Sequence, residues 1–285
     1  MHRILSIIFL TLSISSVQAD TQRGISLYKA KDYDAALREF KKPASINDPV
    51  AVRYHAYMLY TGTGGDFDPP RAKALLRKAY NAGDRASGAY LAGLLARVMS
   101  TSFFKEDFTP EFYDTLAEAM VLFEDTYTGN SNQENATNIT KIFRVTDGKV
   151  APKSDMIRWL KRATAEGDEY SAWDLAQAYS SANGVKKDDA AAFHWAELAA
   201  FLGHSEALGA VGGIYVLGAV GPKKPDQGLA LILRGAEHRD NGSLLLLAEY
   251  YASLGRPQNL GMSWRILNTA LNQGLKESPR SRQLQ

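Results

Sequence analysis

The sequence predicts an all-α fold, an α-solenoid built from stacked antiparallel helix pairs. Two stretches of the chain superimpose with an offset of 36 residues at every shared position from Trp159 to Tyr179. Within each stretch, apolar residues recur at the i, i+4 and i+7 spacing of an amphipathic helix. Small residues and glycines recur at fixed places around the turns. Self-similarity at this period is typical of solenoids, in which each helix pair buries its apolar face against its neighbours.

The best-preserved repeats contain an aromatic residue in the first helix, followed four residues later by alanine. A small side chain there lets two backbones approach closely, and a glycine just past the helix suits the left-handed turn that ends it. A tyrosine in the second helix completes the pattern. These structural positions are Trp159, Ala163, Gly167 and Tyr179 in one repeat, and Trp195, Ala199, Gly203 and Tyr215 in the next.

The alanine of this pattern recurs along the chain and indicates the number of repeats. Successive separations are 35, 84, 36, 37 and 34 residues, and the gap of 84 has room for one enlarged unit. The sequence therefore predicts about seven helix pairs. In the loops between pairs, Asp188 and Asp226 are placed to cap the next helix. The recurring alanines are Ala44, Ala79, Ala163, Ala199, Ala236 and Ala270, and the pattern predicts that one residue is missing from the turn after Ala236.

These motifs resemble the Sel1-like repeat family, whose units are related to tetratricopeptide repeats. Residues 159–188 and 195–226 follow its pattern most closely, and the resemblance covers 30–100 and 153–275. Ala176 stands where the family has glycine. The resemblance implies a right-handed α-solenoid that works as a scaffold, without catalysis, and that binds other proteins.

The two ends of the sequence differ from the repeats. Residues 1–19 have the plan of a secretory signal peptide, with a basic start, an apolar stretch and a small-x-small cleavage site that ends at Ala19. The alternative, an uncleaved membrane anchor, requires a longer apolar run. We therefore expect a soluble periplasmic or secreted protein with no membrane span after cleavage, whose repeat domain covers 20–275 and whose polar tail covers 276–285.

Composition and motifs exclude several classes of function. Thirty-three basic residues against 31 acidic residues give a net charge of +2, too balanced for nucleic-acid binding by bulk charge. The absence of cysteine excludes disulfides, cysteine zinc sites and thiol nucleophiles. The glycine-rich stretch 61–66 lacks the lysine of a phosphate-binding loop, and no metalloprotease or nucleophile-elbow motif occurs. The sequence therefore predicts no catalytic, cofactor or metal site.

The enlarged segment 103–150 is the irregular part of the chain. Seven aromatic and seven acidic residues lie within its first 25 residues, and Lys105 is the only basic residue among them. These aromatic residues either pack a degenerate repeat or form an acidic contact surface for a basic partner, since aromatic side chains are enriched at interface hot spots. The candidate partner-binding residues are Phe103, Phe104, Phe108, Phe112 and Tyr113.

The export signal and the resemblance to repeat scaffolds together predict a non-catalytic adaptor that binds another exported protein. The expected setting is the bacterial periplasm, with a role in cell-envelope or polysaccharide assembly. The alternative is an immunity protein that neutralises a secreted antibacterial toxin such as a lipase, with the acidic aromatic segment closing the toxin site. The sequence leaves the oligomeric state open.

Overall fold

A computed structural model of the chain describes residues 18–42, 45–99, 108–127, 133–220, 223–255 and 257–274. These residues are helical and contain no strand. They form two compact units, Met1–Val150 and Ala151–Gln285. The predicted all-α class is confirmed. The predicted signal peptide covers residues 1–19, of which 1–17 lie outside the described residues and Gln18 and Ala19 are helical. The tail over 276–285 also lies outside them, and the single repeat domain over 20–275 stays a prediction.

The first unit contains α1 over 18–29 and then helices of two alternating kinds. We call α2, α4 and α6 the A helices, and α3, α5 and α7 the B helices. A short 3-10 helix, Ser45–Asn47, precedes α3. The bounds are α2 Tyr33–Phe40, α3 Pro49–Thr61, α4 Pro69–Asn81, α5 Arg85–Ala96, α6 Pro110–Thr126 and α7 Gln133–Thr146.

The second unit continues the alternation with A helices α8, α10, α12 and α14 and B helices α9, α11 and α13. Within the unit each helix packs on its neighbours in the sequence, and a B helix packs most extensively on the A helix that follows it. From α2 to α14 the described residues hold thirteen such helices, close to the predicted seven pairs. The bounds are α8 Lys153–Ala165, α9 Glu169–Ser181, α10 Asp189–Leu202, α11 Ser205–Leu217, α12 Pro225–Glu237, α13 Asn241–Ser253 and α14 Pro257–Asn272.

The 36-residue period is clearest at the residues that cap α3, α5, α9, α11 and α13. At these positions a side chain accepts a hydrogen bond from a backbone N–H two or three residues further on, which is worth about 1 kcal/mol for each helix. Four of the caps are aspartates and one is a histidine that uses Nδ1. They are Asp48 and Asp84 in the first unit, and Asp168, His204 and Asp240 in the second.

The predicted structural positions lie where helices meet. Trp159, Ala163 and Ala199 are buried. Gly167 and Gly203 have φ angles of 95° and 105°, the left-handed conformation predicted for the turn after each A helix.

The two tyrosines of the pattern are half-buried, as is Trp195. Tyr179 and Trp195 pack against one apolar cluster between α8, α9 and α10. The Tyr215 hydroxyl donates a hydrogen bond to the Glu197 carboxylate, and this bond, followed by burial, raises the pKa of Tyr215 to about 12.

The prediction that Ala236 is the recurring small residue of its repeat is wrong by one residue. The prediction that one residue is missing from the turn after it is also wrong. Ala236 is only half-buried, whereas Gly235 is buried and lies against α13: a Cβ at this position would be 2.1 Å from Ser243 Oγ. Arg239 stands 36 residues after Gly203 and takes up the left-handed turn with φ 58°. Thus the period stays at 36 residues from Ala199 to Gly235. Ala44, the first of the recurring alanines, lies outside the described residues.

Of the two predicted caps between repeats, one is confirmed and one is wrong. Asp188 accepts hydrogen bonds from the backbone N–H groups of Ala190 and Ala191 at the start of α10. Asp226 lies inside the first turn of α12, because Pro225 takes the first helical position and Lys224 the cap without a side-chain bond. Proline suits this position because its fixed φ angle matches the helix and it has no N–H to satisfy.

Candidate functional site

A groove of about 760 Å³ lies on the B helices of the first unit. Its walls come from α3, α5 and α7, so three successive repeats contribute to one surface. We call it the tyrosine groove and define it by Tyr57, Tyr60, Tyr90, Gly93, Arg97 and Asn138.

Small residues form the floor of the tyrosine groove along α5. Ala86, Ala89 and Gly93 follow one another at helical spacing and line the cavity. A Cβ at Gly93 would meet no heavy atom within 4 Å, so no neighbouring helix requires glycine at this position. Because glycine inside a helix costs about 1 kcal/mol relative to alanine, Gly93 lowers stability and leaves open space in the groove.

Four tyrosines from four helices form a continuous row that ends in the groove. We call Tyr33, Tyr28, Tyr57 and Tyr90 the tyrosine row. Their ring centroids are 5.5 Å, 6.2 Å and 5.9 Å apart in that order. The first contact is tilted and the other two are edge-to-face, and contacts of this kind fix ring orientation. Tyr57 and Tyr90 are 37% and 47% exposed, so the row presents to solvent two rings whose orientation is fixed by neighbouring rings.

Tyr28 lies inside the row. Burial, and after it the neighbouring rings of Tyr57, Tyr33 and Tyr54, raise the pKa of Tyr28 above its ordinary value. A partner meets the exposed rings of Tyr57 and Tyr90, which combine apolar faces with hydroxyl groups that form hydrogen bonds.

The two arginines of the groove differ in their partners. Arg53 Nε lies 2.8 Å from Oδ2 of Asp84, the cap of α5, so this positive charge is balanced. Arg97 is exposed, and its guanidinium carbon lies 5.6 Å from the centroid of the Tyr60 ring. Among the described residues no carboxylate forms a salt bridge with Arg97. The groove therefore offers one cation to a ligand, placed over an aromatic face.

A second cavity of about 530 Å³ adjoins the tyrosine groove. The two cavities share Tyr60, Leu94 and Arg97, and the second extends to Phe67, which is 69% exposed. Arg97 thus lies where the two cavities meet. Together they form a surface longer than either cavity, lined by the aromatic and arginine side chains that dominate binding energy at interfaces.

The candidate partner-binding residues of the enlarged segment are not equivalent in the structure. Phe112 is 3% exposed and belongs to the core, and the Phe108 ring, 44% exposed, lies against it at 5.2 Å. Tyr113 is half-buried, and its hydroxyl accepts a hydrogen bond from Lys149 Nζ at 3.0 Å. Phe103 and Phe104 lie outside the described residues. Phe112 follows the packing alternative, and partner binding by Phe108 and Tyr113 stays a prediction.

Acidic residues of the same segment are used inside the first unit. Glu118 on α6 pairs with Arg77 on α4, and Asp125 pairs with Arg85 on α5. Asp125 also accepts a hydrogen bond from the Tyr80 hydroxyl at 2.9 Å, which raises the pKa of Tyr80. These contacts join the enlarged segment to the repeat before it and neutralise part of its negative charge.

The described residues offer no metal site of the usual composition. Nowhere in this part of the chain do three or more histidine, aspartate or glutamate side chains lie close enough together to hold an ion. Within the same residues, no helix is long and apolar enough to cross a bilayer.

Stacked A and B helices define a helical repeat protein, and in its first unit three B helices line one aromatic groove. The Sel1 repeat family matches residues 49–84 and 170–204. Each match begins at or near the start of a B helix and ends at the cap of the next one. This frame joins each B helix to the A helix that it packs against most extensively. The chain therefore contains two stretches similar to the Sel1 repeat, as its sequence motifs predict. Proteins of this family are protein-interaction scaffolds, typically without catalysis.

Two solved structures share the fold. One is c5321, a protective antigen of uropathogenic Escherichia coli strains that displays an SLR fold. It is 19% identical with a TM-score of 0.68, and the alignment covers 91% of this chain and 54% of c5321, so this chain spans about half of that protein. The other is a Sel1 repeat protein from Oxalobacter formigenes, 23% identical with a TM-score of 0.54, with 88% and 99% of the two chains covered. Comparison with curated proteins gives no significant match.

The tyrosine groove is not predicted by the sequence reasoning, although a trace of it is present. Tyr54 and Tyr90 are 36 residues apart, and Gly93 stands 36 residues after Tyr57. An alignment of the outward positions of α3 and α5, like the alignment of the core positions, places tyrosines and a glycine on one face.

Proposed function

We propose that this protein is an exported, non-catalytic scaffold of the bacterial periplasm that holds a protein partner in the tyrosine groove. The setting is cell-envelope or polysaccharide assembly. The observation that carries the proposal is the groove itself, in which Tyr57, Tyr90 and Arg97 surround the open space at Gly93. Tyrosine and arginine are the residue types most enriched at interface hot spots.

The rigidity of the groove supports a binding role. Exposed rings held by edge-to-face contacts lose little conformational freedom when a partner binds, so less of the interaction energy is lost to ordering. Small floor residues leave space for a side chain of the partner. The export part of the proposal rests on the signal-peptide pattern of residues 1–19.

The immunity alternative depends on the enlarged segment, and the same experiment separates it from the scaffold role. In the first unit Phe112 is a core residue and Glu118 is paired with Arg77. The partner surface of the proposal is therefore the groove rather than the acidic segment. Identification of a toxin as the bound protein would replace the assembly role with the immunity role.

Filling the groove at Gly93 is expected to abolish partner binding without unfolding the chain. In Gly93→Trp the indole would occupy the open space beside Tyr57 and Tyr90, and a loss of at least about tenfold in affinity is expected, equivalent to about 1.4 kcal/mol. A photo-crosslinking amino acid in place of Tyr90 measures binding in cells, with the adduct identified by mass spectrometry.

Two controls make this test specific. Gly93→Ala should keep the adduct, since a single methyl group leaves most of the space open. A crosslinker in place of Val121, which is 61% exposed on α6, should give no adduct with the same protein. Equal adducts at both positions, or an adduct at position 90 that persists in Gly93→Trp, would contradict binding in the groove.

A further inference from the structure

The last described helix, α14, is covered on one side only. In the second unit α10 lies between α9 and α11, and α12 lies between α11 and α13. Among the described residues, α14 packs on α13 and no helix follows it. Its buried residues Ser263, Leu267 and Ala270 define the covered side. The opposite side of an A helix is the one that a following B helix covers elsewhere in the unit.

Trp264 shows what this open side lacks. The equivalent positions, 36 residues apart in α8 and α10, are Ile157 and Phe193. Ile157 is 8% exposed, and the Phe193 ring lies 6.2 Å from the ring of Tyr215 on α11. Trp264, in contrast, is 53% exposed. A large aromatic side chain thus occupies a position that is packed in other repeats and exposed to solvent in this one.

An empty space lies beside Trp264 on the same face. Gly261 is one turn earlier, so it is a surface neighbour of Trp264 on the helix. A Cβ at Gly261 would meet no heavy atom within 4 Å, and Leu260, next to it, is 50% exposed. The face therefore carries the projecting ring of Trp264 and, one helical turn away, an open space over Gly261. Such a face is self-complementary when two copies meet antiparallel.

The sequence after α14 does not repeat the B-helix pattern. Arg282 and Gln283 stand 35 residues after Leu247 and Ala248, the buried pair of α13, and 35 residues is also the separation of Ala270 on α14 from Gly235 on α12. The residues that follow in the sequence thus lack the apolar pair by which α13 packs.

We propose that α14 is a docking surface for a second copy of this chain. Two α14 helices pack antiparallel about a two-fold axis, and Trp264 of each copy enters the space over Gly261 of the other. In such a contact a residue pair occurs twice with the roles exchanged. Arg265 is the only charged residue of α14, and its Nε donates a hydrogen bond to the Gly261 carbonyl oxygen at 3.3 Å, so each copy places one guanidinium at the edge of the contact. The contact continues the helix stacking of α13 on α14.

The size of the surface sets the expected affinity. A helix of 16 residues is about 24 Å long, and one helix face from each copy buries less than the roughly 1,200 Å² of a standard stable interface. The dimer is therefore expected to be weak, with a dissociation constant in the micromolar range.

Sedimentation velocity of the purified protein at concentrations up to about 100 µM tests the proposal. We expect a reversible monomer–dimer equilibrium for the wild type. Trp264→Glu and Gly261→Leu should each weaken the dimer at least tenfold. The Gly261 variant is informative because replacing glycine inside a helix favours the helix, so a loss of dimer there cannot come from unfolding of α14. Circular dichroism checks that both variants keep the wild-type helical content.

Phe201→Ser is the matched control, because Phe201 is an exposed aromatic residue of the same unit, 80% accessible, on α10. It should leave the dimer unchanged. A wild type that stays monomeric at all concentrations overturns the proposal. So does a dimer that survives Trp264→Glu or Gly261→Leu, or one that Phe201→Ser weakens equally.

Discussion

Replacing Gly228 by alanine should lower the free energy of unfolding by about 2–4 kcal/mol, one of the two largest effects expected in this chain. Gly228 on α12 faces Gly212 on α11, and a Cβ at Gly228 would lie 2.6 Å from the Gly212 carbonyl oxygen and 2.9 Å from the Val216 nitrogen. Both are backbone atoms, so the two helices must separate to admit one methyl group. The alanine gains about 1 kcal/mol in helix propensity, which offsets only part of this cost.

Thermal unfolding followed by circular dichroism measures the effect of Gly228→Ala. The melting temperature should fall by roughly 5–15 °C. Gly93→Ala is the matched control, because it is also a helical glycine but has open space where the Cβ would go. That variant should gain about 0.5–1 kcal/mol. If both glycine variants shift stability in the same direction, the close contact of α11 with α12 does not govern the result.

His55→Leu is expected to stabilise the protein and to remove much of its sensitivity to acid. His55 stands on α3 where Leu91 stands on α5, and its ring is buried. Its Nε2 has no hydrogen-bond partner among the described residues. A buried polar group without a partner costs about 1–3 kcal/mol. Leucine fits the position in other repeats, so the variant should recover an amount in this range at pH 7.5.

The pH dependence follows from the lowered pKa of His55. Burial, and then the positive charges of Lys41 and Arg71, lower the pKa of His55 to about 4, while Asp66 acts in the opposite direction. In the unfolded chain the imidazole has its ordinary pKa of about 6.5, so it binds a proton first as the pH falls. The wild type therefore loses stability between about pH 6.5 and pH 4, by at most about 3 kcal/mol from this residue.

Urea unfolding at pH 7.5, 6.0 and 5.0 compares the two proteins. The gap between His55→Leu and the wild type should widen as the pH falls. Gly93→Ala introduces no titrating group and should run parallel to the wild type across the same range. A gap that stays constant with pH would mean that the His55 imidazole does not become harder to protonate on folding.

The repeat frame could be predicted from sequence because core positions are under the same constraint in every unit. Ala163 and Ala199 are buried by neighbouring helices in the same way, so the same small residue recurs at the same interval. The frame failed by one residue at Ala236, because Gly235 carries the close contact and Arg239 replaces the expected glycine in the turn. A pattern of residue types cannot distinguish two adjacent small residues when the turn that follows them has changed.

The tyrosine groove could not be predicted in the same way, because its residues face outward and differ between repeats. Tyr57 and Tyr90 contact each other, yet they occupy different positions of the repeat frame. Their contact depends on how α3 and α5 are placed side by side. The aromatic composition of the enlarged segment left packing and partner binding open as alternatives, because composition does not tell which rings are buried. Phe112 and Phe123 are core residues, whereas Phe108 is 44% exposed.

The alternation of A and B helices also governs how the chain reaches its fold. Most packing joins helices that are adjacent or next but one in the sequence, so contact order is low and folding can begin in any repeat and spread. Local unfolding should follow the same path in reverse and begin at a helix that is packed on one side only. Amide protons of α14 should therefore exchange with solvent earlier than those of α11, and a native chain should spend part of its time with its last helix detached.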